Sequence, residues 1–313
     1  MRHPDLADVC MSAVRVQTTG VDMGDVGARL VGRFGPEVQG WIAEVPTLAA
    51  RLASRWGLVL GELFDSGASS VVMRCQWPDG TSAVLKLSPD RALLTKQVEM
   101  LRVFAPSGRV PAVLSTDAQA GAMVLEEVLP GTEAEDMPKT SLPQLWGQLL
   151  AALHTVAPPA QWPWDLRGRC EEAFVRIGRR LSEPAIGARI DQAAWRRTIQ
   201  RCETLLDTQA TLVLLHGDLH LRNALDGGPS RGLVAIDPKA CIGDPCFDAV
   251  DYAVAGAGHE GVEAHCQRVA TACGLDGDRL YAWSRVIAPM FAIAHLTYGG
   301  PEPVIDELLA LTC

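Results

Sequence analysis

The 313-residue sequence has no run of about 18 consecutive apolar residues, so no segment reads as a membrane-spanning helix. Its start, Met1 to Val21, lacks a basic stretch followed by an apolar one, which argues against a secretory signal. There is no Cys-x-x-Cys pair among nine scattered cysteines, an odd number. That pattern fits reduced thiols better than a disulfide framework and predicts a cytoplasmic protein. Positive charge is in deficit: the net charge is -9, which argues against a nucleic-acid partner and mildly favours a cationic ligand. Internal repeats and low-complexity tracts are absent, so solenoid architectures are excluded.

What is present is the composition of an ordinary globular chain, 48% hydrophobic, long enough for two lobes with a core each. Residues 1 to 35 carry Gly20, Gly24, Gly27, Gly32 and Gly35 with weak periodicity and predict a loosely ordered extension. From Trp41 to Trp56 apolar residues recur at three- and four-residue steps, the signature of an amphipathic helix. Short strand-like runs follow at 58–64, 70–76 and 81–87, the last two joined by the turn Pro78-Asp79-Gly80. A helix over 93–104 and two further strands, 112–115 and 122–128, complete a small β-rich lobe. After Pro130-Gly131 the pattern turns helical, with Leu142, Leu145, Leu149, Leu150 and Leu153 on one face and similar periods over 174–181 and 195–206. Two short apolar runs, 212–215 and 232–236, interrupt the helices. The expected fold class is α+β and bilobal: a nucleotide-binding lobe over 36–128, a hinge about 126–131, and a larger, mainly helical lobe over 132–313.

The chemistry concentrates in His216-Gly217-Asp218-Leu219-His220-Leu221-Arg222-Asn223, followed after an apolar run by Asp237-Pro238. Phosphoryl transfer to a hydroxyl needs an aspartate to take or orient the acceptor proton, and an amide plus a second carboxylate to hold magnesium against the phosphates. Asp218, Asn223 and Asp237 supply them in that order, and the five-residue step from Asp218 to Asn223 matches a kinase catalytic loop with Gly217 in place of arginine. His216 reads as a brace for the loop. One alternative is a polar turn after a strand with Asp218 capping a helix. A second is a zinc site drawn from His216, His220, Cys241 and Cys246, although Gly217 and the five-residue cysteine spacing suit it poorly.

At these residues the sequence resembles the aminoglycoside phosphotransferase-like kinases. Ala235-Ile236-Asp237-Pro238 and Gly243-Asp244-Pro245-x-Phe247-Asp248 look most like the streptomycin 6-phosphotransferase and hydroxyurea phosphotransferase group. The resemblance extends through Trp41-Ile42-x-x-x-Pro46, Gly121 to Glu127 and Leu153-His154, covering roughly 40–300. It implies the bilobal protein-kinase-like fold, ATP and Mg2+ as cofactors, and a small-molecule acceptor. No membrane or nucleic-acid partner is implied, and the oligomeric expectation is a monomer or weak dimer.

On the nucleotide side, Ser66-Gly67-Ala68-Ser69-Ser70 joins the first two strands and offers backbone N–H groups and hydroxyls to phosphates. Lys86 lies inside an apolar strand, where a charge needs an anionic partner, and phosphate is the partner expected; the alternative is an edge-strand lysine pointing to solvent. In the resembling family this lysine pairs with a glutamate on the next helix, but the matching position here is Gln97, with Glu99 on a different face. Glu126 to Val128 is the expected hinge, presenting backbone groups to adenine. The resemblance sets the acceptor between the catalytic loop and the C-terminal helices, with Asp244, Asp251 and Trp283 as candidate contacts. For Asp244 a bracing role is equally open, and for Asp248 capping and bonding to the catalytic loop is the favoured reading. Three functions follow: a kinase that inactivates a small antibiotic, streptomycin first and hydroxyurea second; a kinase for a sugar or amino alcohol; or a nucleotide-binding pseudokinase.

Overall fold

Alternation decides the sheet. In a computed structural model, which describes residues 23–64 and 69–312, Val71, Met73 and Cys75 of β2 (Val71–Gln76) are buried while the residues between them are less covered. This period of two gives one face to a core. Strand β2 pairs antiparallel with β1 (Val59–Leu63) and with β3 (Ser82–Leu87), and β3 pairs antiparallel with β5 (Ala122–Glu126). With β4 (Val113–Asp117) the order is β1-β2-β3-β5-β4. The β2–β3 connection closes as its residues dictate: Asp79 Oδ1 accepts from Thr81 N at 2.9 Å, and Gly80 takes a positive φ of 86°.

Helix α2 (Gln39–Trp56) lays Val45, Ala49, Leu52 and Ala53 into the same core as the covered face of the sheet. The expectation of a loosely ordered stretch over residues 1–35 is corrected in its described part. Gly24–Phe34 is helix α1, with Val26 and Leu30 buried in that core. The four-residue step between them is a helical period that the surrounding glycines obscure. Residues 1–22 lie outside the described residues.

The chain divides into two compact units, Met1–Leu94 with Leu114–Glu126, and Thr95–Val113 with Glu127–Cys313. The first holds α1, α2 and the sheet. The second begins with most of α3 (Arg91–Phe104) and continues through α4 (Leu142–His154), α5 (Leu166–Gly178), the short α6 (Pro184–Gly187) and α7 (Gln192–Asp207). Two ladders of three-residue strands follow. Strand β6 (Val213–Leu215) pairs antiparallel with β9 (Cys241–Gly243), and β7 (Ala224–Asp226) with β8 (Leu233–Ala235). Helices α8 (Phe247–Ala255), α9 (Val262–Cys273), α10 (Gly277–Tyr298) and α11 (Glu302–Ala310) end the chain.

Helix starts follow local chemistry: Asp165, Asp191 and Asp276 each accept a backbone N–H three residues on, at 2.8, 2.6 and 3.0 Å. Helix α4 packs on α9 closely enough that a Cβ at Gly147 would collide with the Ala272 carbonyl oxygen. Pro289 lies inside α10, which continues to Tyr298.

Candidate active site

The second unit builds the site on β6 and β9. Leu214 and Leu215 are fully buried, and Leu215 lies opposite Cys241, so the segments that follow β6 and precede β9 emerge side by side. They are tied where they emerge, Lys239 N donating to the His216 carbonyl at 2.9 Å. Gly217 is required there. Its φ is +77°, and a Cβ would overlap the Lys239 carbonyl oxygen.

A buried carboxylate clamps this turn. Asp248, at the start of α8 and 1% exposed, accepts from His216 N at 2.7 Å and Gly217 N at 2.8 Å, and its Oδ2 lies 3.0 Å from His154 Nε2 on α4. Burial alone would favour the neutral acid. The hydrogen bonds outweigh it, with His154 the larger, and hold the Asp248 carboxyl below the usual carboxylate value. His216 is fully buried beside it, and burial holds that imidazole in the neutral form.

The clamped turn presents Asp218 between two cations. Arg169 Nη2, from the first turn of α5, donates to Oδ1 at 2.8 Å, and Lys239 Nζ lies 2.8 Å from Oδ2. Burial opposes ionisation, yet Lys239 and Arg169 prevail and keep the Asp218 carboxyl below its ordinary value. The chain then folds into a 3-10 turn, Leu221–Asn223, which returns Asn223 so that its Nδ2 donates to the Asp218 carbonyl at 2.9 Å. This leaves the amide Oδ1 for another partner. Ile236 N donates to the Asn223 carbonyl at 2.9 Å and brings the next residue, Asp237, alongside. Asp237 has a φ of 57°, a left-handed conformation costing on the order of 1–3 kcal/mol in a non-glycine residue. An amide oxygen and a carboxylate, the groups that Asn223 and Asp237 carry, are ligand types that a hard divalent cation takes. Among the described residues no group of three His, Cys, Asp or Glu side chains is arranged to hold a metal, which leaves the zinc alternative without support.

Asp251 sits one turn beyond Asp248 on α8. Burial and then the charge of Asp218 push its carboxyl up to about 7, against the opposing pull of Arg169.

This geometry, an aspartate on the turn after β6, an amide five residues on and a second aspartate after a strand, is matched by comparison with known phosphotransferases. Residues 61–283 match the model of the Phosphotransferase enzyme family. The chain belongs to that family. It is 34% identical over 222 residues to streptomycin 6-kinase of Streptomyces glaucescens, covering 69% of this chain and 68% of the relative. It is 30% identical over 271 residues to hydroxyurea phosphotransferase of Kitasatospora aureofaciens, covering 84% and 76%. The macrolide 2'-phosphotransferase MphH from Brachybacterium faecium aligns with a TM-score of 0.56 at 21% identity over 85% of this chain and 97% of that one. The last likeness establishes the fold, the α+β protein-kinase-like class expected from the sequence.

The other expected site residues of this phosphotransferase distribute as follows. Lys86 is on β3, 3% exposed, opposite Val72 on one side and Met123 on the other. Ser70 is buried, and the Ser69 carbonyl accepts from Ser88 Oγ at 3.0 Å, while Ser66 and Gly67 lie outside the described residues. Glu126 ends β5 opposite Ala83, and Val128 is buried in the second unit. On α3, Gln97 is buried and Glu99 exposed, as the helical register predicts.

Asp244 and Trp283, two of the candidate acceptor contacts, pair with each other. Trp283 is fully buried on α10, its Nε1 donating to Asp244 Oδ2 at 2.7 Å, and Arg279 Nε bonds the same oxygen. Asp244 Oδ1 accepts from Cys246 N at 3.0 Å. Every one of these polar atoms is spoken for, so the pair braces the start of α8 against α10. Sequence reasoning missed Arg169 and Lys239. Lys239 had a readable signal, a cation two residues after Asp237. Arg169 had none, being 49 residues from its partner.

Proposed function

We propose that this phosphotransferase moves the γ-phosphoryl group of ATP onto a hydroxyl of a small antibiotic, streptomycin first and hydroxyurea second, and so inactivates it inside the cytoplasm. The observation that carries the reading is the union of Asp218, Asn223 and Asp237 through the Asn223 Nδ2 to Asp218 carbonyl bond and the Ile236 N to Asn223 carbonyl bond. In it Asp218 takes or orients the acceptor proton. Asn223 Oδ1 and the Asp237 carboxylate hold magnesium, which supplies charge neutralisation at the phosphates. Lys86, Ser69 and Ser70, with Ser66 and Gly67, bind the phosphates, and the backbone at Glu126 and Val128 receives adenine. Asp251, next to Asp218, faces a cationic group of the acceptor. The choice of antibiotic follows the curated relatives, a streptomycin 6-kinase and a hydroxyurea phosphotransferase. The cytoplasmic setting is supported by the free thiols of the described cysteines and by the lack, among described residues, of a helix able to cross a membrane.

Purified protein with magnesium-ATP and a panel of streptomycin, other aminocyclitols and hydroxyurea should yield phosphorylated streptomycin by mass spectrometry. No turnover across the panel would sink the antibiotic reading. Asp218→Ala should lower ATP consumption by about 10²- to 10⁴-fold, and an unchanged rate removes Asp218 from the base role.

A further inference from the structure

Asp218 is over-supplied with cations for a proton acceptor. Each carboxylate oxygen already has one, Arg169 on Oδ1 and Lys239 on Oδ2, both at 2.8 Å. An acceptor hydroxyl that gives its proton to Asp218 must approach one of these oxygens; each keeps a lone pair but is flanked by a cation, so the approach opens when one cation draws back. The two are not equivalent. Arg169 rises from the first turn of α5, which is capped by Asp165. Its side chain is 24% exposed, and its Nε is wholly buried beside the backbone of Gly217. The Lys239 side chain is 46% exposed, on a stem of four carbons, while its main chain is fixed by the bond from Lys239 N to the His216 carbonyl. Lys239 is the one free to leave.

An ammonium that leaves a carboxylate needs another anion. The incoming phosphoryl group supplies it, because reacting atoms poised for attack stand about 3–3.5 Å apart and its oxygens then fall within a lysine's reach of Asp218. We propose that Lys239 exchanges between two anions, holding Asp218 Oδ2 when no acceptor is present and binding a non-bridging oxygen of the phosphoryl group in transfer. This inference rests on the phosphoryl-transfer reading above. In the step, the acceptor oxygen bonds to the γ-phosphorus, its proton passes to Asp218 Oδ2, and the bond from phosphorus to the bridging oxygen breaks to release nucleoside diphosphate. Lys239 neither gains nor loses a proton. Arg169 stays on Oδ1 throughout and is a positioning residue.

The test needs no acceptor. Magnesium-ADP with aluminium fluoride mimics the phosphoryl group in transfer, and its affinity is compared with that of magnesium-ADP alone by calorimetry for wild type, K239Q and K239R. Removing one donor to transition-state charge costs on the order of 100-fold. K239Q should therefore lose about 100-fold in affinity for the mimic while binding ADP as the wild type does, which also reports that it is folded. K239R should regain most of the loss. A K239Q preference for the mimic equal to that of wild type overturns the exchange and leaves the phosphoryl-transfer reading standing, as does a wild type that binds ADP without preferring the mimic. A wild type that binds neither overturns both.

Discussion

Five strands of five or six residues make the sheet of the first unit, whereas the candidate site of the second hangs on two ladders of three-residue strands. The sheet is held by area: alternate side chains of β2 and β3 enter a core shared with α1 and α2. Ladders of three residues bury too little to fix a loop, and the missing constraint is supplied by one buried carboxylate, Asp248, bonding two successive N–H groups. The two regions therefore differ in what breaks them. In one it is a change of volume, in the other a change of charge.

Asp248→Ala should have the largest effect. It leaves the His216 and Gly217 N–H groups buried without an acceptor and removes the partner of His154, at a cost of about 3–5 kcal/mol of stability. Urea denaturation measures that loss, and turnover of the remaining folded protein should fall as well, because the turn carrying Asp218 is released. Leu85→Ala, at a fully buried position of β3, should cost about 2–5 kcal/mol. Turnover per folded molecule should stay at the wild-type value. Equal losses of turnover in the two variants would erase the distinction between the regions.

A third effect sharpens it by isolating a single charge. Asp251 titrates near 7 in the folded chain and near 3.9 when unfolded, so the folded form holds a proton that the unfolded form releases between those values. The stability this contributes is complete below about pH 4 and is lost as pH rises through 7. The charges that act on it are those of Asp218, Arg169, Asp248 and Lys239. Asp251→Asn should remove the slope, gaining on the wild type as pH rises from 4 to 7 and holding a constant advantage above. Parallel stability curves for the two proteins would refute the assignment.

Period and punctuation made most of the sheet readable, because each strand alternates over enough residues to be counted and Pro78-Asp79-Gly80 marks a turn. The same rules missed β7 and β9, whose three residues are too few for any period, and α1, whose two buried side chains stand among glycines. In the site, contacts close in sequence were legible: the step from Asp218 to Asn223 is one turn of chain, and the structure joins them by a hydrogen bond. The contacts of Asp244 with Arg279 and Trp283, and of Asp218 with Arg169, close only when separate helices pack. The family resemblance named Asp244 and Trp283 as candidate contacts but not that they would satisfy each other.

The bond from Lys239 N to the His216 carbonyl sets a clock. Because the main chain of Lys239 is pinned, its ammonium moves only by turning about side-chain torsions, which in exposed residues takes picoseconds to nanoseconds. Loop rearrangements run from nanoseconds to microseconds and domain motions to milliseconds. The exchange at Asp218 therefore adds no slow step to a turnover cycle, and solvent viscosity, which retards large motions, should leave it untouched.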